Sequence, residues 1–495
     1  MSAPNVLLIT TDHWPASLLG SAGHPVIQTP TLDELARSGT RFTNAYSECP
    51  VCIPARRTLM TGTSPRAHGD RVFRDTGTMP GFPTLAQTFR DAGYQAYAAG
   101  KLHVYPQRDR IGFDDVLLDE EGRTQYGVVD DYEIELGRRG YAGMQFSHGM
   151  SNNEYSFAPW HLPDDLHPTS WVAHGMAETI RRRDPTRPAF WYLSFRHPHP
   201  PLTPLQRYLD LYEASEEAID RPYTGAWSAN DDSRPYAARV RGSAYGHLSD
   251  REVMLARRAF YAQCTHIDHQ IRLVIGTLRE EGLLDDTIIV FTSDHGDMLG
   301  NHGLWAKRVF YEDSANVPMI VVGRTGSGAD GRVPARAVDD RVTGLQDVMP
   351  TLLGLCGIPV PDTVEGRSMV ADPPREALYG ECNEDDLATR MIRSGDWKLV
   401  YYPTGNRTQL FNLADDPREL ADLADDPQHA GVRADLTGRL IAELHGDDES
   451  WLADGELVGT PDREVELKPN KGLTGQRGLH WPPPPRVDLE QSAHP

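Results

Sequence analysis

The sequence predicts an α/β fold: a large, mainly parallel sheet flanked by helices, with a small C-terminal antiparallel sheet carrying one helix. Three observations predict it. Residues 6–13 and 288–295 are near-twin apolar runs, Val-Leu-Leu-Ile-Thr-Thr and Ile-Ile-Val-Phe-Thr-Ser, each followed by Asp-His. Between and around them, strand-length apolar runs alternate with segments of helical periodicity. From about Pro373 the pattern changes to short strand-like runs separated by turns.

Each twin run is continuously apolar, as expected of a strand buried on both faces of a parallel sheet. Thr31-Leu32-Asp33-Glu34 reads as a capping box, with Gly39 as the helix stop. Pro54 suits the first turn of a helix starting just after Cys52, and Arg56 then falls one turn on, on the same side as residue 52. Thr84-Leu85-Ala86-Gln87 opens a helix ending near Gly93, and residues 94–99 read as the next strand. Residues 114–171 read as long loops rich in Tyr, His, Asn and Trp, either a pocket for a sugar or aryl group or an ordinary insertion. Residues 190–193 form another apolar strand, and residues 254–282 a helix without internal proline that leads into the second Asp-His strand.

Beyond Pro373, residues 377–382, 389–393, 397–402 and 410–413 are short strands, followed by a helix over residues 430–444. This divides the chain into a catalytic domain, 1–372, and a C-terminal subdomain, 373–495. Trp481 and the prolines 482–485 make the tail extended rather than helical. Residues 472–486 are either an arm packed on a neighbouring subunit, giving a homo-oligomer, or an ordinary loose chain end.

The chain has 495 residues, 49 basic and 71 acidic, for a net charge of −22. No basic stripe is present to neutralise phosphates, so nucleic acid is not an expected partner. No apolar run approaches a membrane span, and no secretory signal precedes the first strand, so no membrane partner and a cytoplasmic location are expected. The five cysteines, at 49, 52, 264, 356 and 382, do not read as a disulfide framework. Cys49 and Cys52 form C-P-V-C, which raises a redox pair as the competing idea.

Ligands of open α/β sheets bind outside the carboxyl ends of the strands, so the two Asp-His pairs should meet at one rim. Two aspartates there need a cation between them, and oxygen ligation with a histidine suits Ca²⁺ or Mn²⁺ better than Mg²⁺. Cys52, at a helix N-terminus, would sit where free N–H groups favour an anion.

The run Cys52-Ile53-Pro54-Ala55-Arg56 with Thr61-Gly62 resembles the formylglycine signature of the sulfatase family, C-x-P-x-R followed by T-G. Ser293-Asp294-His295-Gly296-Asp297, Gly100-Lys101-Leu102-His103, the stretch from Ser194 to Pro201, and the stretch from Leu299 to Lys307 resemble further family motifs in the family's order. The resemblance implies an alkaline-phosphatase-like fold and a sulfuric ester hydrolase. It implies that Cys52 is oxidised to an aldehyde by a formylglycine-generating enzyme, and that the hydrate of this aldehyde is the nucleophile. Arg56 would hold residue 52, and Lys101, His103, His199 and Lys307 would bind the sulfate, with His199 or His103 protonating the leaving alcohol. Asp12, Asp294, His295 and residue 52 would bind one divalent ion, Ca²⁺ as the first expectation and Mn²⁺ as the alternative. His13 stands where many sulfatases have a second Asp, and is a further ligand candidate. The substrate implied is a small-molecule sulfate ester. The rivals are a phosphonate monoester or phosphodiester hydrolase on the same scaffold, as phosphonate monoester hydrolases also have one acid there, and a non-catalytic anion-binding homologue.

Overall fold

The computed structural model describes residues 3–123, 127–212, 219–246, 248–325 and 331–465. Its main sheet contains β1 (Asn5–Asp12), β2 (Thr40–Tyr46), β3 (Gln95–Gly100), β4 (Asp115–Leu118), β5 (Ala189–Pro198), β6 (Thr287–Ser293), β7 (Met319–Val322) and β8 (Ala337–Gly344). The order is β4-β3-β5-β1-β6-β7-β2-β8. Every neighbouring pair is parallel except the two made by β7, which runs against both β6 and β2.

Alternate residues of the central strands feed two cores, which is why these strands carry no polar stripe. Leu7, Ile9, Trp191, Leu193, Ile289 and Phe291 face the helices Pro168–Arg181 and Asp250–Glu280. Val6, Leu8, Phe190, Tyr192, Ile288 and Val290 face the helices Cys52–Thr61, Leu85–Asp91 and Val348–Cys356. The helix expected from Thr84 is capped as its sequence implies, with the Thr84 hydroxyl accepting from the Gln87 N–H at 3.1 Å. Among the described residues, no helix is long and apolar enough to cross a membrane.

The capping box at Thr31 does not form. The helix starts at Pro30 with Thr29 as its N-cap, and neither Thr29 nor Thr31 caps it through a side chain. Instead the Asp268 carboxylate, from the middle of the long helix Asp250–Glu280, accepts the Thr31 and Leu32 N–H groups at 3.0 and 2.8 Å. A cap supplied from more than two hundred residues away leaves no local signature.

The segment read as loop between residues 114 and 171 contains β4 and a helix, Asp131–Arg138, whose N-cap Asp130 accepts from the Glu133 N–H at 2.7 Å. β2 and β8 carry polar residues at intervals, and β7 has only four residues, so none showed a clear period in the sequence.

The C-terminal sheet comprises β9 (Leu378–Cys382), β10 (Thr389–Ser394), β11 (Trp397–Tyr402) and β12 (Arg407–Asn412), antiparallel throughout, in the order β12-β11-β10-β9. Period-two alternation splits its faces. Ile392, Leu399 and Tyr401 pack on Leu436 and Leu440 of the helix Ala430–Glu443. Met391, Val400 and Tyr402 pack on Tyr46, Cys49, Val51 and Phe310, the segments that flank Cys52 and Lys307. The tail arm over residues 472–486 lies outside the described residues.

Asp268→Ala should loosen the Pro30–Ser38 helix by about 1 kcal/mol, the usual worth of a cap. Amide exchange at Thr31 and Leu32 reads this, and Thr31→Ala should leave both rates near the parental values.

Candidate active site

The register of the parallel strands builds the site. Thr10 pairs with Thr292 and Thr11 with Ser293 across β1 and β6, so the next residues, Asp12 and Asp294, come side by side at the carboxyl edge. On the other side of β1, Gly100 pairs with Ser194 across β3 and β5, and Lys101 follows. Gly100 has φ 106° and its Cα faces the Ser194 carbonyl so closely that a Cβ would lie 1.8 Å from that oxygen. Only glycine lets β3 end there and turn Lys101 into the rim.

Cys52 is the first residue of its helix, and Val51, the N-cap, offers no side-chain cap. The helix start is therefore open towards the strand ends. Cys52 is buried, with Sγ 3.2 Å from His295 Nε2 and 3.6 Å from Asp12 Oδ1. Arg56, one turn on, ties the helix to four strand ends. Its Nε donates to Asp294 at 3.0 Å, and one terminal nitrogen donates to the Lys101 carbonyl at 3.0 Å and to the Ser194 hydroxyl at 2.8 Å. Its other terminal nitrogen lies 3.8 Å from Asp12.

Asp12, Cys52, Asp294 and His295 each place a ligand atom within 4.8 Å of the others. His295 Nδ1 is 2.9 Å from the Gly296 carbonyl, which can only accept, so the proton is on Nδ1 and Nε2 turns to Asp12 and Cys52. This is the orientation of an imidazole poised to bind a metal. The electrostatics show the same demand. Burial opposes charge on Asp12, but Lys101, His199, His13 and Arg56 hold it well below the usual carboxylate range. Burial and the adjacent Asp12 push Asp294 up. Burial works against the His295 cation, yet Asp294, Cys52 and Asp12 lift it to about 9. Two carboxylates, an imidazole and residue 52 thus form a buried donor set that fits one divalent cation.

His13 is turned partly away from that set. Its Nδ1 is 2.6 Å from Asp297, and its Nε2 meets the Lys307 ammonium, 3.7 Å from Asp12. Its atoms group with Asp12, Cys52 and His199, not with Asp294 and His295. The His13 backbone is left-handed, φ 75°, as is that of His103, φ 60°. Such strain gathers where the surroundings dictate an unusual direction.

Lys307 lies between two left-handed residues, Ala306 at φ 61° and Arg308 at φ 77°, and reaches His199 Nε2 at 3.3 Å. His199 Nδ1 is 2.6 Å from the Pro200 carbonyl, so its Nε2 lone pair faces Lys307. Burial, with Lys307 and Lys101 nearby, lowers His199 to about 3 despite Glu121, and its ring is neutral at ordinary pH. His103 is buried against Phe73, ring centroids 5.6 Å apart, and burial with the charges of Lys101 and Arg123 holds it well below the usual histidine range. His197 bonds the Thr169 hydroxyl at 3.1 Å and stacks near His167, so the structure puts His199 and not His197 at the rim. Cys49 donates to the Arg71 carbonyl at 3.6 Å.

Sequence reasoning missed three groups. Asp297 closes the Ser-Asp-His-Gly-Asp motif and orients His13, and Tyr155 donates to the same carboxylate. Glu121, from an acidic run with no motif of its own, pairs with Lys101 at 2.6 Å. Its position after β4 was the available clue, since it too follows a strand at the carboxyl edge.

A family model described as Sulfatase matches residues 4–358. The chain belongs to the sulfatase family. It is a sulfuric ester hydrolase with the mostly parallel, alkaline-phosphatase-like sheet expected of one. A second model, N-sulphoglucosamine sulphohydrolase C-terminal, matches residues 300–445 and so overlaps the first. The chain is 34% identical over 475 residues to an arylsulfatase of Clostridium perfringens, covering 92% of this chain and 97% of that one. It is 31% identical to a choline-sulfatase of Rhizobium meliloti, covering 91% and 88%. Among solved structures, the phosphonate monoester hydrolase of Agrobacterium radiobacter superposes with a TM-score of 0.74 at 26% identity, covering 89% of this chain and 95% of that one.

In this sulfatase Asp12→Asn and Asp294→Asn should each lower bound divalent metal to well below one per chain, because both carboxylates are needed to offset its charge. Elemental analysis of the purified proteins checks it, and a full complement in either variant would refute a shared site.

Proposed function

We propose that the protein hydrolyses sulfate monoesters, with residue 52 as a formylglycine nucleophile and one divalent ion held by Asp12, Asp294, His295 and residue 52. The observation that carries this reading is the position of Cys52: first in its helix, facing two buried carboxylates, with buried cations on the surrounding strand ends. A formylglycine hydrate at residue 52 would supply one oxygen to attack sulfur and a second to expel sulfate afterwards. The ion would supply positive charge that favours the ionised attacking oxygen and offsets the sulfate oxygens. Ca²⁺ prefers oxygen donors throughout, so the imidazole of His295 favours Mn²⁺ as its competitor.

The protein's own groups do the rest. Arg56 fixes Asp294 and the turn at Lys101, so the helix start and the rim keep one geometry. Lys101 from the end of β3 and Lys307 from the segment after β6 draw charge off the sulfate oxygens in a buried site, where such donors are worth most. His199 carries its proton on Nδ1 and its lone pair on Nε2, beside the Lys307 ammonium. That pair can relay a proton to the departing alkoxide. His103, neutral and buried beside Lys101, would hold an oxygen on residue 52 or on the sulfate.

Cys52 is 1% exposed. A formylglycine-generating enzyme must therefore reach it before the helix docks and the C-terminal sheet closes over Val51.

The second reading, phosphonate monoester hydrolysis, is favoured by His13, which leaves a single acid at the end of β1, and by the superposition on the Agrobacterium enzyme. Turnover of aryl sulfate against aryl phosphonate esters separates the two: kcat/KM should favour the sulfate, and a large preference for the phosphonate would replace the first reading.

Cys52→Ala should lower kcat by about a thousandfold or more, as loss of a nucleophile does, while circular dichroism stays parental. Cys52→Ser should form at most one turnover of ester, lacking the second hydroxyl to expel sulfate. Mass spectrometry of the peptide bearing residue 52 should show the CH₂–SH to CHO change in active protein; recovered activity with an unmodified thiol would refute the mechanism.

A further inference from the structure

Three consecutive acids, Asp119, Glu120 and Glu121, each hold a different part of the cationic wall. Asp119 binds Arg196 at 2.8 Å, and Glu120 accepts the Leu102 and His103 N–H groups, both at 2.8 Å. Glu121 places one oxygen 2.6 Å from Lys101 Nζ and the other 2.6 Å from Arg123, and its carboxylate lies 3.9 Å from His199. It is buried, and its backbone is left-handed at φ 61°, so the chain accepts strain to aim it inwards. Burial raises Asp119 and Glu120 to about 7. It opposes charge on Glu121 too, but Arg123 and Lys101 overcome it and keep this carboxylate ionised.

An ammonium has three donors. On Lys101 one goes to Asp12 and one to Glu121, which leaves one for an incoming oxygen. The ammonium arrives already matched by two carboxylates, so it offers the substrate a hydrogen bond with little net positive charge behind it. A singly charged tetrahedral ester can use such a site. A doubly charged one brings a second negative charge into the neighbourhood of an anion that has nowhere to move.

We propose that Glu121 is a specificity-determining residue acting through Lys101, one that admits singly charged esters, sulfate or phosphonate, and excludes doubly charged phosphate monoesters. This rests on the reading that Lys101 binds the anion. It is indifferent to which singly charged ester is the substrate.

The test uses the metal-loaded, full-length enzyme and three esters with one leaving group: para-nitrophenyl sulfate, para-nitrophenyl phenylphosphonate and para-nitrophenyl phosphate. In Glu121→Gln the ratio of kcat/KM for the phosphate to that for the sulfate should rise about tenfold or more. This is a lower bound, since one unit charge about 6 Å away at an effective dielectric near 20 is worth roughly a hundredfold before screening. The phosphonate-to-sulfate ratio should stay within about threefold, both esters carrying one charge. Glu121→Asp, which keeps the charge, should keep the parental phosphate-to-sulfate ratio. The gap between parent and Glu121→Gln should close below pH ~6, where the phosphate dianion takes up one proton and becomes singly charged.

An unchanged phosphate-to-sulfate ratio in Glu121→Gln overturns the proposal, as does an equal fall for all three esters, which would make Glu121 only a support for Lys101. Should Glu121→Gln not fold, the parent enzyme still decides: its relative rate on the phosphate must rise as pH falls through about 6, and a flat ratio there overturns the proposal. Lys101→Ala separates the two levels. If it leaves all three rates intact, the anion-binding reading itself falls; if it lowers them while the Glu121→Gln ratio stays parental, only the role of Glu121 falls.

Discussion

Asp12 and Asp294 end adjacent parallel strands in register, so backbone hydrogen bonding forces two carboxylates together in a place water does not reach. Much of the site answers that constraint. Like charges at that spacing cannot both stay ionised without cations, and the protein supplies Arg56 between them, Lys101 on one flank and a raised His295 on the other. A divalent ion would take over part of that work. The charge the site must balance is thus set by strand register before any substrate arrives.

The small C-terminal sheet belongs to the site as much as the large one does. One of its faces serves its own helix, while the other lies on Tyr46, Cys49, Val51 and Phe310. Those residues flank Cys52 and Lys307, so the subdomain presses the helix start that bears Cys52 and the second lysine onto the rim. Arg71 strengthens the junction from the catalytic side, pairing with Glu381 at 3.0 Å and Asp448 at 2.8 Å. Loss of the subdomain would expose the N-terminal end of the helix that bears Cys52.

Sulfate and phosphoryl groups have the same shape, so a protein that separates them must read charge. The rim has the means in its acidic run: neighbouring carboxylates with different fates, two raised by burial and one held ionised by its cations. The same scaffold could be retuned by changing which of these acids is compensated, without touching Cys52 or the cluster of Asp12, Asp294 and His295. That offers one physical account of how a single fold could divide singly charged esters from doubly charged phosphate monoesters.

The sequence by itself determined the parallel core, because strands buried on both faces must be continuously apolar, and it placed Asp12, Lys101, His199 and Asp294, because each ends or directly follows such a strand. Cys52 at a helix start was legible from Pro54, and His199 from its place in the run after residues 190–193. Tertiary structure alone decided what those groups touch. Asp268 capping the Pro30–Ser38 helix, Asp297 turning His13 towards Lys307, and Glu121 sharing Lys101 with Asp12 all join residues distant in the chain. Their partners are chosen by strand register and helix docking, which have no local period to read. The same reason applies to His13: its position after Asp12 made it a ligand candidate, and only the folded neighbourhood shows its ring held between Asp297 and Lys307 while it also groups with Asp12, Cys52 and His199.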